Sequence, residues 1–371
     1  MGEANVQHTD RHRPSVRACS ENPVVMHGGS GRNGRRSLPN LGTTVTDSEF
    51  QRTGASAETK GKKHLIELLK LAVSAGLIAG LAVWMDWAAV SRAVATADAT
   101  YLLLAVLAMA PTVVLAAWRW SYAARASDIH LSLPFYAKAT YSALFVGQFL
   151  PAGLGVDAAR LGFFMHRRAR LASALQSLAL DRLVGVVSVV CVLAIGLPFI
   201  WSRLSDVLQL FASGLVLATA VGLCIFLSLH RLGFLASYDG SGKRRKLIDL
   251  LLAVRRSVAS TEALAAFGIS IGIYCLMILG VHLIADAIGV STDYPSLLAI
   301  VALAMFVSLL PFSVNGWGVR EGAMVAGLAA LSVPKESALA ISLLFGVANA
   351  IITLPGVFVW HFRRKHMAAV D

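Results

Sequence analysis

The strongest constraint in the sequence is a set of long apolar stretches, each close to the length of a helix that crosses a bilayer. They lie at about 65–85, 101–118, 171–200, 207–229, 263–287 and 337–360. Roughly twenty apolar residues in a helix cross the hydrocarbon core. The chain has 15% charged residues, whereas about a quarter of a soluble chain is charged. The sequence therefore predicts an all-α polytopic membrane protein with six spanning helices.

The ends of the chain differ from this apolar region. Residues 1–64 are rich in Gly, Ser, Thr, Asn and Arg and have no apolar periodicity, which predicts a disordered tail. Residues 65–361 form the predicted transmembrane domain, and residues 362–371 form a short basic tail. The four cysteines have no paired spacing, and there is no His-rich cluster or Asp-x-Asp pair. We therefore expect no disulfide framework, metal site or cofactor.

Lysine and arginine fall mainly on one side of the predicted spans. The other side receives only Arg92, Arg203 and Lys335. Basic residues mark the cytoplasmic side of a membrane protein, so we expect both termini in the cytoplasm of a bacterial inner (cell) membrane. The net charge of +12 is then mainly a topology signal, and nucleic acid is not an expected partner.

Two further apolar stretches, at about 134–165 and 296–333, are interrupted by proline and glycine. Proline ends a helix, and glycine permits a tight turn and close backbone approach. Each stretch predicts two half-length helices that form a re-entrant hairpin. The basic residues put the first hairpin on the cytoplasmic face and the second on the opposite face. The predicted turn residues are Pro151, Gly153, Gly155, Pro311, Gly316 and Gly318.

The two hairpins also align with each other, which predicts an internal repeat of residues 65–200 in residues 207–360. Each unit has an odd number of crossings, so the second unit is inverted relative to the first, a plan common in secondary transporters. The alternative is that proline and glycine only kink ordinary spans, which membrane bundles tolerate.

Four segments carry a resemblance to a known family. They are Ala117-Trp-Arg-Trp120, Phe149-Leu-Pro-Ala-Gly-Leu-Gly-Val-Asp-Ala-Ala-Arg160, Leu180-Asp-Arg-Leu-Val-Gly185 and Asn315-Gly-Trp-Gly-Val-Arg-Glu-Gly322. Together they resemble the flippase-like transmembrane domain of lysylphosphatidylglycerol synthases, the multiple peptide resistance factors. The likeness covers about 65–360. One departure is Leu344-Phe-Gly-Val-Ala348, where similar proteins often carry an arginine.

The resemblance implies translocation of a lipid or lipid-linked molecule between leaflets through two re-entrant hairpins. The soluble aminoacyl-transferase domain of the synthases has no counterpart in the 371 residues, so we do not expect lysylation of phosphatidylglycerol. The protein is expected to be a transporter rather than an enzyme. The alternatives are a non-catalytic accessory subunit of a lipid, hopanoid or cell-envelope pathway and, with less support, a glycosyl- or phosphotransferase.

Charges inside the apolar stretches are the candidate substrate-binding residues. Asp181 and Arg182 are adjacent on a helix and point about 100° apart, so each needs a partner elsewhere. We expect Arg182 to pair with Asp157 or Glu321, and Asp181 with Arg160 or Arg320. The planar guanidinium group of arginine can donate two hydrogen bonds to a lipid phosphate. Alternatively, the same ion pairs have a purely structural role and attach the hairpins to the helix bundle. The candidate set is Asp157, Arg160, Asp181, Arg182, Asn315, Arg320 and Glu321.

Three other features have a simpler interpretation. Arg119 with Trp118 and Trp120 is typical of an interfacial anchor, and His282 is typical of a hydrogen-bonded bundle histidine. Residues 231–262 contain a basic amphipathic helix that either lies on anionic lipid or is a solvated topology signal. The expected partners are the bilayer and a lipid or lipid-linked substrate. The sequence is also compatible with a homo-oligomer.

Overall fold

The computed structural model describes residues 86–147, 154–228, 242–309 and 318–357. These residues form helices joined by short turns, and no strand occurs among them. The helices are α1 (Trp87–Ala95), α2 (Ala99–Met109), α3 (Pro111–Arg125), α4 (Leu133–Gly147), α5 (Leu154–His166), α6 (Leu171–Ile200), α7 (Asp206–Ser228), α8 (Lys243–Val258), α9 (Thr261–Ala287), α10 (Tyr294–Leu309), α11 (Val319–Ala329) and α12 (Lys335–Thr353).

Five helical segments of the described chain are long and apolar enough to cross a membrane. They are Ala99–Arg125, Leu171–Arg203, Asp206–Ser228, Thr261–Ala287 and Lys335–Val357. They coincide with five of the six predicted spans, and the chain is a multi-pass membrane protein. The predicted span at 65–85 and the two predicted tails lie outside the described residues.

Polar side chains cap the helices at the ends of the spans. Asp98 accepts the Thr100 N–H at the start of α2, and the Ser260 hydroxyl accepts the Ala263 N–H at the start of α9. Such caps satisfy the first N–H groups, which have no partner inside the helix. Asp293 accepts the Ser296 N–H at 2.9 Å. Partial burial raises the pKa of the Asp293 carboxyl, but hydrogen bonds from Ser296 and the charge of Arg203 bring it below its usual value.

Each interrupted apolar stretch forms two short helices that pack against each other, α4 with α5 and α10 with α11. The four helices have 15, 13, 16 and 11 residues. At 1.5 Å per residue they are about 16–24 Å long, less than the roughly 30 Å hydrocarbon core. The helical halves were therefore correctly predicted, and the turns between them lie outside the described residues.

Two of the predicted turn glycines are described, and their positions differ. Gly318 has φ 82° directly before α11, a conformation that glycine adopts without the steric cost of a side chain. Gly155 is the second residue of α5, so it lies inside the helix rather than in the turn. The other predicted turn residues, Pro151, Gly153, Pro311 and Gly316, lie outside the described residues.

α6 lies at the centre of the helix packing. It packs along α10 and also contacts α3, α5 and α9. At Gly196 the backbones come so close that an added Cβ would collide with the Ala299 nitrogen. Small residues permit this kind of approach between membrane helices. The charged residues of α6 lie in the part of the helix that contacts α3 and α5.

α8 is the predicted amphipathic helix, and the structure confirms that it is helical from Lys243 to Val258. Leu250 and Val254 pack in a cluster with residues of α3 and α6. Leu247 and Leu251 are exposed, at 57% and 41%. The helix is therefore docked on the bundle by one side and presents leucines as well as basic residues on the other.

Candidate functional site

A buried carboxylate joins three helices. Arg119 on α3 donates from Nε to Asp181 Oδ1 at 2.8 Å and from Nη2 to Oδ2 at 3.1 Å. Arg160 on α5 donates from Nη1 to the same Oδ2 at 2.9 Å. The side chains of Arg119, Arg160 and Asp181 are 15%, 5% and 3% exposed. Asp181 thus holds two arginines, one of them in the two-point geometry that guanidinium groups favour. We call these three residues the buried triad.

Aromatic side chains enclose the buried triad. The Arg160 guanidinium lies over the Trp120 ring at 4.9 Å, and Trp120 packs edge-on against Tyr136 with ring centroids 5.0 Å apart. Trp120 is fully buried. The prediction of an interfacial anchor is therefore wrong for Arg119 and Trp120, since a buried carboxylate and an aromatic cluster hold them inside the protein. Trp118 is 42% exposed.

A second ion pair lies next to the triad and is much more exposed. Arg182 donates from Nε to Asp157 Oδ2 at 2.8 Å, and the two side chains are 42% and 27% exposed. Asp181 and Arg182 thus take separate partners, as their adjacent positions on one helix predict. The pairs Arg182–Asp157 and Arg160–Asp181 are both among the expected ones.

The charges at the start of α11 form their own group. Glu321 is 2% exposed, and its Oε2 accepts the Gly318 N–H at 2.6 Å. Its Oε1 accepts from Arg320 Nε at 3.0 Å. The Arg320 guanidinium also lies over the Phe345 ring of α12 at 5.6 Å. Glu321 therefore caps the start of α11 and holds Arg320 beside the last span.

One cavity of about 640 Å³ brings these groups together. Its wall includes five of the seven candidate residues, namely Asp157, Arg160, Asp181, Arg182 and Arg320. Glu321 is bonded to Arg320, and Asn315 lies outside the described residues. The cavity is thus bordered by charges from α5 and α6 and by a charge from α11, which come from two distant parts of the sequence.

A comparison with protein families identifies this region. The family model described as lysylphosphatidylglycerol synthase TM region matches residues 68–356. The chain belongs to this family. The match includes every described helix that lines the cavity and confirms the resemblance seen in the four sequence segments. A comparison with curated proteins gives no match.

The cavity of this lysylphosphatidylglycerol synthase TM region also contains polar residues that the sequence analysis did not include among the candidate binding residues. Arg119, Tyr274 and Asn349 all line it. Tyr274 donates its hydroxyl to the Gly185 carbonyl at 3.1 Å, and Asn349 Nδ2 donates to the Phe345 carbonyl at 3.0 Å. The sequence analysis placed Arg119 just after a span ending at residue 118, whereas the α3 helix continues to Arg125 and carries Arg119 inside it. Tyr274 and Asn349 carry no comparable sequence signal.

His282 lies apart from the cavity. Its Nδ1 is 3.0 Å from the Thr292 hydroxyl, and its Nε2 is 3.8 Å from Asp286 Oδ2. This agrees with the interpretation as a hydrogen-bonded bundle histidine. In the part of the chain that the structure describes, no three His, Cys, Asp or Glu side chains are grouped so that they could hold a metal ion.

Proposed function

We propose that the protein moves a lipid or lipid-linked molecule between the leaflets of the inner membrane, with the headgroup bound in the charged cavity. The observation that carries the proposal is that one cavity is lined by charges from α5, α6 and α11. A charge at membrane depth costs about 2.5–3.5 kcal/mol on insertion scales, so such residues usually line a wet cavity or mark a substrate path. Family membership agrees with a lipid-related role.

The order of the helices supports an inverted repeat. The segment from α1 to α6 has the order short helix (α1), span (α2 with α3), two short helices (α4 and α5) and span (α6). The segment from α8 to α12 has the same order, with α9 and α12 as its spans. If the predicted span at 65–85 precedes α1 as α7 precedes α8, each unit has three crossings and the second unit is upside down. The two short-helix pairs would then be re-entrant hairpins from opposite faces, and the cavity would lie where the halves meet.

The charged residues around the cavity have two proposed roles: one group is structural, and the other binds the ligand. The buried triad connects α3, α5 and α6 and keeps Asp157 and Arg182 in place. Arg182 and Arg320 face the cavity and would offer planar donor forks to a phosphate, a geometry that arginine provides better than lysine. Alternating opening toward each leaflet would let the headgroup cross while the acyl chains stay in lipid.

Reconstitution into liposomes tests this function. Fluorescently labelled phosphatidylglycerol in the inner leaflet is protected from an impermeant quencher, and transporter activity removes that protection. We expect wild-type protein to accelerate the exchange and Arg182→Gln or Arg320→Gln to slow it by about tenfold or more, since each removes a charged hydrogen bond worth at least about 1.5 kcal/mol. Arg203→Gln is the matched control, because Arg203 is 55% exposed and 3.7 Å from Asp293, away from the cavity.

Two results would replace the proposal. If wild-type protein is folded and inserted but moves no lipid, the charges only hold the helices together, and the protein is an accessory subunit rather than a transporter. If the lipid is recovered covalently altered, the protein is a transferase instead.

A further inference from the structure

The amphipathic helix α8 is fixed at the level where membrane spans end. The Ser257 hydroxyl donates at 2.8 Å to the carbonyl of Ala126, the residue that directly follows α3. Arg255 Nε donates at 2.8 Å to the carbonyl of Leu227, one residue before the end of α7. Gln176, in the second turn of α6, donates to Ser257. Because spans end at the surface of the hydrocarbon core, α8 lies beside the membrane boundary.

Two exposed leucines of α8 lie beside its docked face. Leu250 and Val254 pack in a cluster with residues of α3 and α6. Leu247 and Leu251 lie four residues apart on one face of the helix and are 57% and 41% exposed. Exposed leucines lose the stabilisation that burial of apolar surface gives. At the membrane boundary, the upper acyl region of the bilayer can supply that burial.

The same helix is strongly basic. Residues 243–258 contain six basic residues and one acidic residue. The acidic residue, Asp249, has its Oδ1 3.2 Å from Arg245 Nε. The adjoining residues 229–242 add one arginine and one aspartate, so they leave the excess of positive charge unchanged. The basic residues that the structure describes as exposed are Arg244, Lys246 and Arg256. A basic helix with exposed leucines at the membrane boundary has the chemistry that binds anionic lipid.

We propose that α8 is a docking surface for anionic lipids of the adjacent leaflet. Its basic side chains contact the charged headgroups, and Leu247 and Leu251 enter the upper acyl region. A solvated topology signal would need the basic residues but not the leucines. This surface is separate from the charged cavity, since no residue of α8 lines that cavity. Because α8 is bonded to α3, α6 and α7, lipid bound there is attached to the ends of three spans.

A fluorophore on α8 tests which lipid lies against the helix. Leu251→Cys is labelled in full-length protein whose four native cysteines are changed to alanine. The protein is reconstituted into phosphatidylcholine liposomes that contain a small, fixed fraction of nitroxide-labelled lipid. The nitroxide lies near the top of the acyl chain, and the labelled lipid is either phosphatidylserine or phosphatidylcholine. Quenching of the fluorophore then reports how often each lipid contacts α8.

We expect labelled phosphatidylserine to quench about twofold or more strongly than labelled phosphatidylcholine, because basic residues attract anionic lipid. The difference should disappear at about 1 M salt, where the Debye length falls to about 3 Å.

Charge-neutralising variants show whether the basic residues cause the preference. The α8 variant combines Arg244→Gln, Lys246→Gln and Arg256→Gln. Each lost charge weakens binding to an anionic surface by about fivefold, so quenching by phosphatidylserine should fall to the level of phosphatidylcholine. The matched control removes the same charge from the opposite side in the proposed orientation, and it combines Arg92→Gln, Arg203→Gln and Lys335→Gln. The control should keep the preference of the wild-type background.

Each outcome decides the proposal. A preference for phosphatidylserine that is lost only in the α8 variant supports it. Equal quenching by the two lipids, or a preference that the α8 variant keeps, would overturn the binding of anionic lipid by the basic residues. Quenching by neither lipid, together with quenching by aqueous iodide, would show that α8 faces water. The assay does not involve transport, so its failure would leave the proposed function standing.

Discussion

Arg119 on α3 and Asp181 on α6 form a two-point salt bridge between residues 62 positions apart in the sequence. Arg160 of α5 binds the same carboxylate, so one aspartate fixes the relative positions of three helices. The cavity charges Asp157 and Arg182 lie on α5 and α6. The salt bridge therefore positions the two helices that carry Asp157 and Arg182, although Arg119 and Asp181 are themselves more deeply buried.

Arg119→Gln should destabilise the protein strongly. It leaves Asp181 buried with one partner instead of two, and breaking a buried ion pair costs about 3–5 kcal/mol. The free energy of unfolding can be measured by titrating the detergent-solubilised protein with dodecyl sulfate. Arg203→Gln should lower it by at most about 1 kcal/mol. Similar losses in the two variants would show that the bridge is not a structural element.

Gly196→Ala should also destabilise the protein, but through packing. Its Cβ would collide with the backbone of α10 at Ala299, and overpacking of this kind costs about 1–3 kcal/mol. Gly214 of α7 is the control, since an added Cβ there meets no atom within 4 Å. Gly214→Ala should be neutral or slightly stabilising, by up to about 1 kcal/mol. If Gly196→Ala behaves in the same way, α6 and α10 do not approach as closely as described.

Gln176→Ala should loosen α8. Gln176 Nε2 donates to the Ser257 hydroxyl at 2.8 Å and to the Ala253 carbonyl at 3.3 Å, and the Ser257 hydroxyl in turn is 2.8 Å from the Ala126 carbonyl. We expect faster hydrogen exchange in residues 243–258. Gln209→Ala removes comparable bonds, to Trp201 and Leu204, and should leave α8 unchanged. Equal exchange of α8 in both variants would contradict this docking.

The proposed orientation predicts opposite labelling of two exposed sites. In protein with the four native cysteines changed to alanine, Arg256→Cys on α8 should react with an impermeant maleimide only from the cytoplasmic side. Ser205→Cys, between α6 and α7, should react only from the outside. Labelling of both from one side would mean that α7 does not cross the membrane.

The spans and the paired short helices could be predicted because they depend on local properties of the sequence. Apolar length indicates a spanning helix, and proline and glycine indicate where a helix stops. The end of the second span could not be predicted. Hydropathy ends it at residue 118, but the helix runs to Arg125. Arg119 is accommodated inside the protein because it is paired with Asp181, a partner that lies 62 residues away in the sequence.

The ion pairs could be predicted only in part. Adjacent positions on one helix indicate that Asp181 and Arg182 need separate partners, and two of the expected pairs occur. The choice of Arg119 as a second partner of Asp181 depends on the packing of α3 against α6, which periodicity does not encode. The burial of Trp120 has the same origin, since its environment is made by Tyr136 and Phe164 of neighbouring helices.

Photo-crosslinking tests most directly whether a lipid headgroup enters the charged cavity. Proteoliposomes would contain phosphatidylglycerol with a photoreactive group on the headgroup, and labelled peptides would be located by mass spectrometry. We predict labelling in α5, α6 and α11 that excess unlabelled phosphatidylglycerol suppresses and Arg182→Gln reduces. Labelling confined to α7, in which Ala212 is the one buried residue, would contradict passage of the headgroup through the cavity.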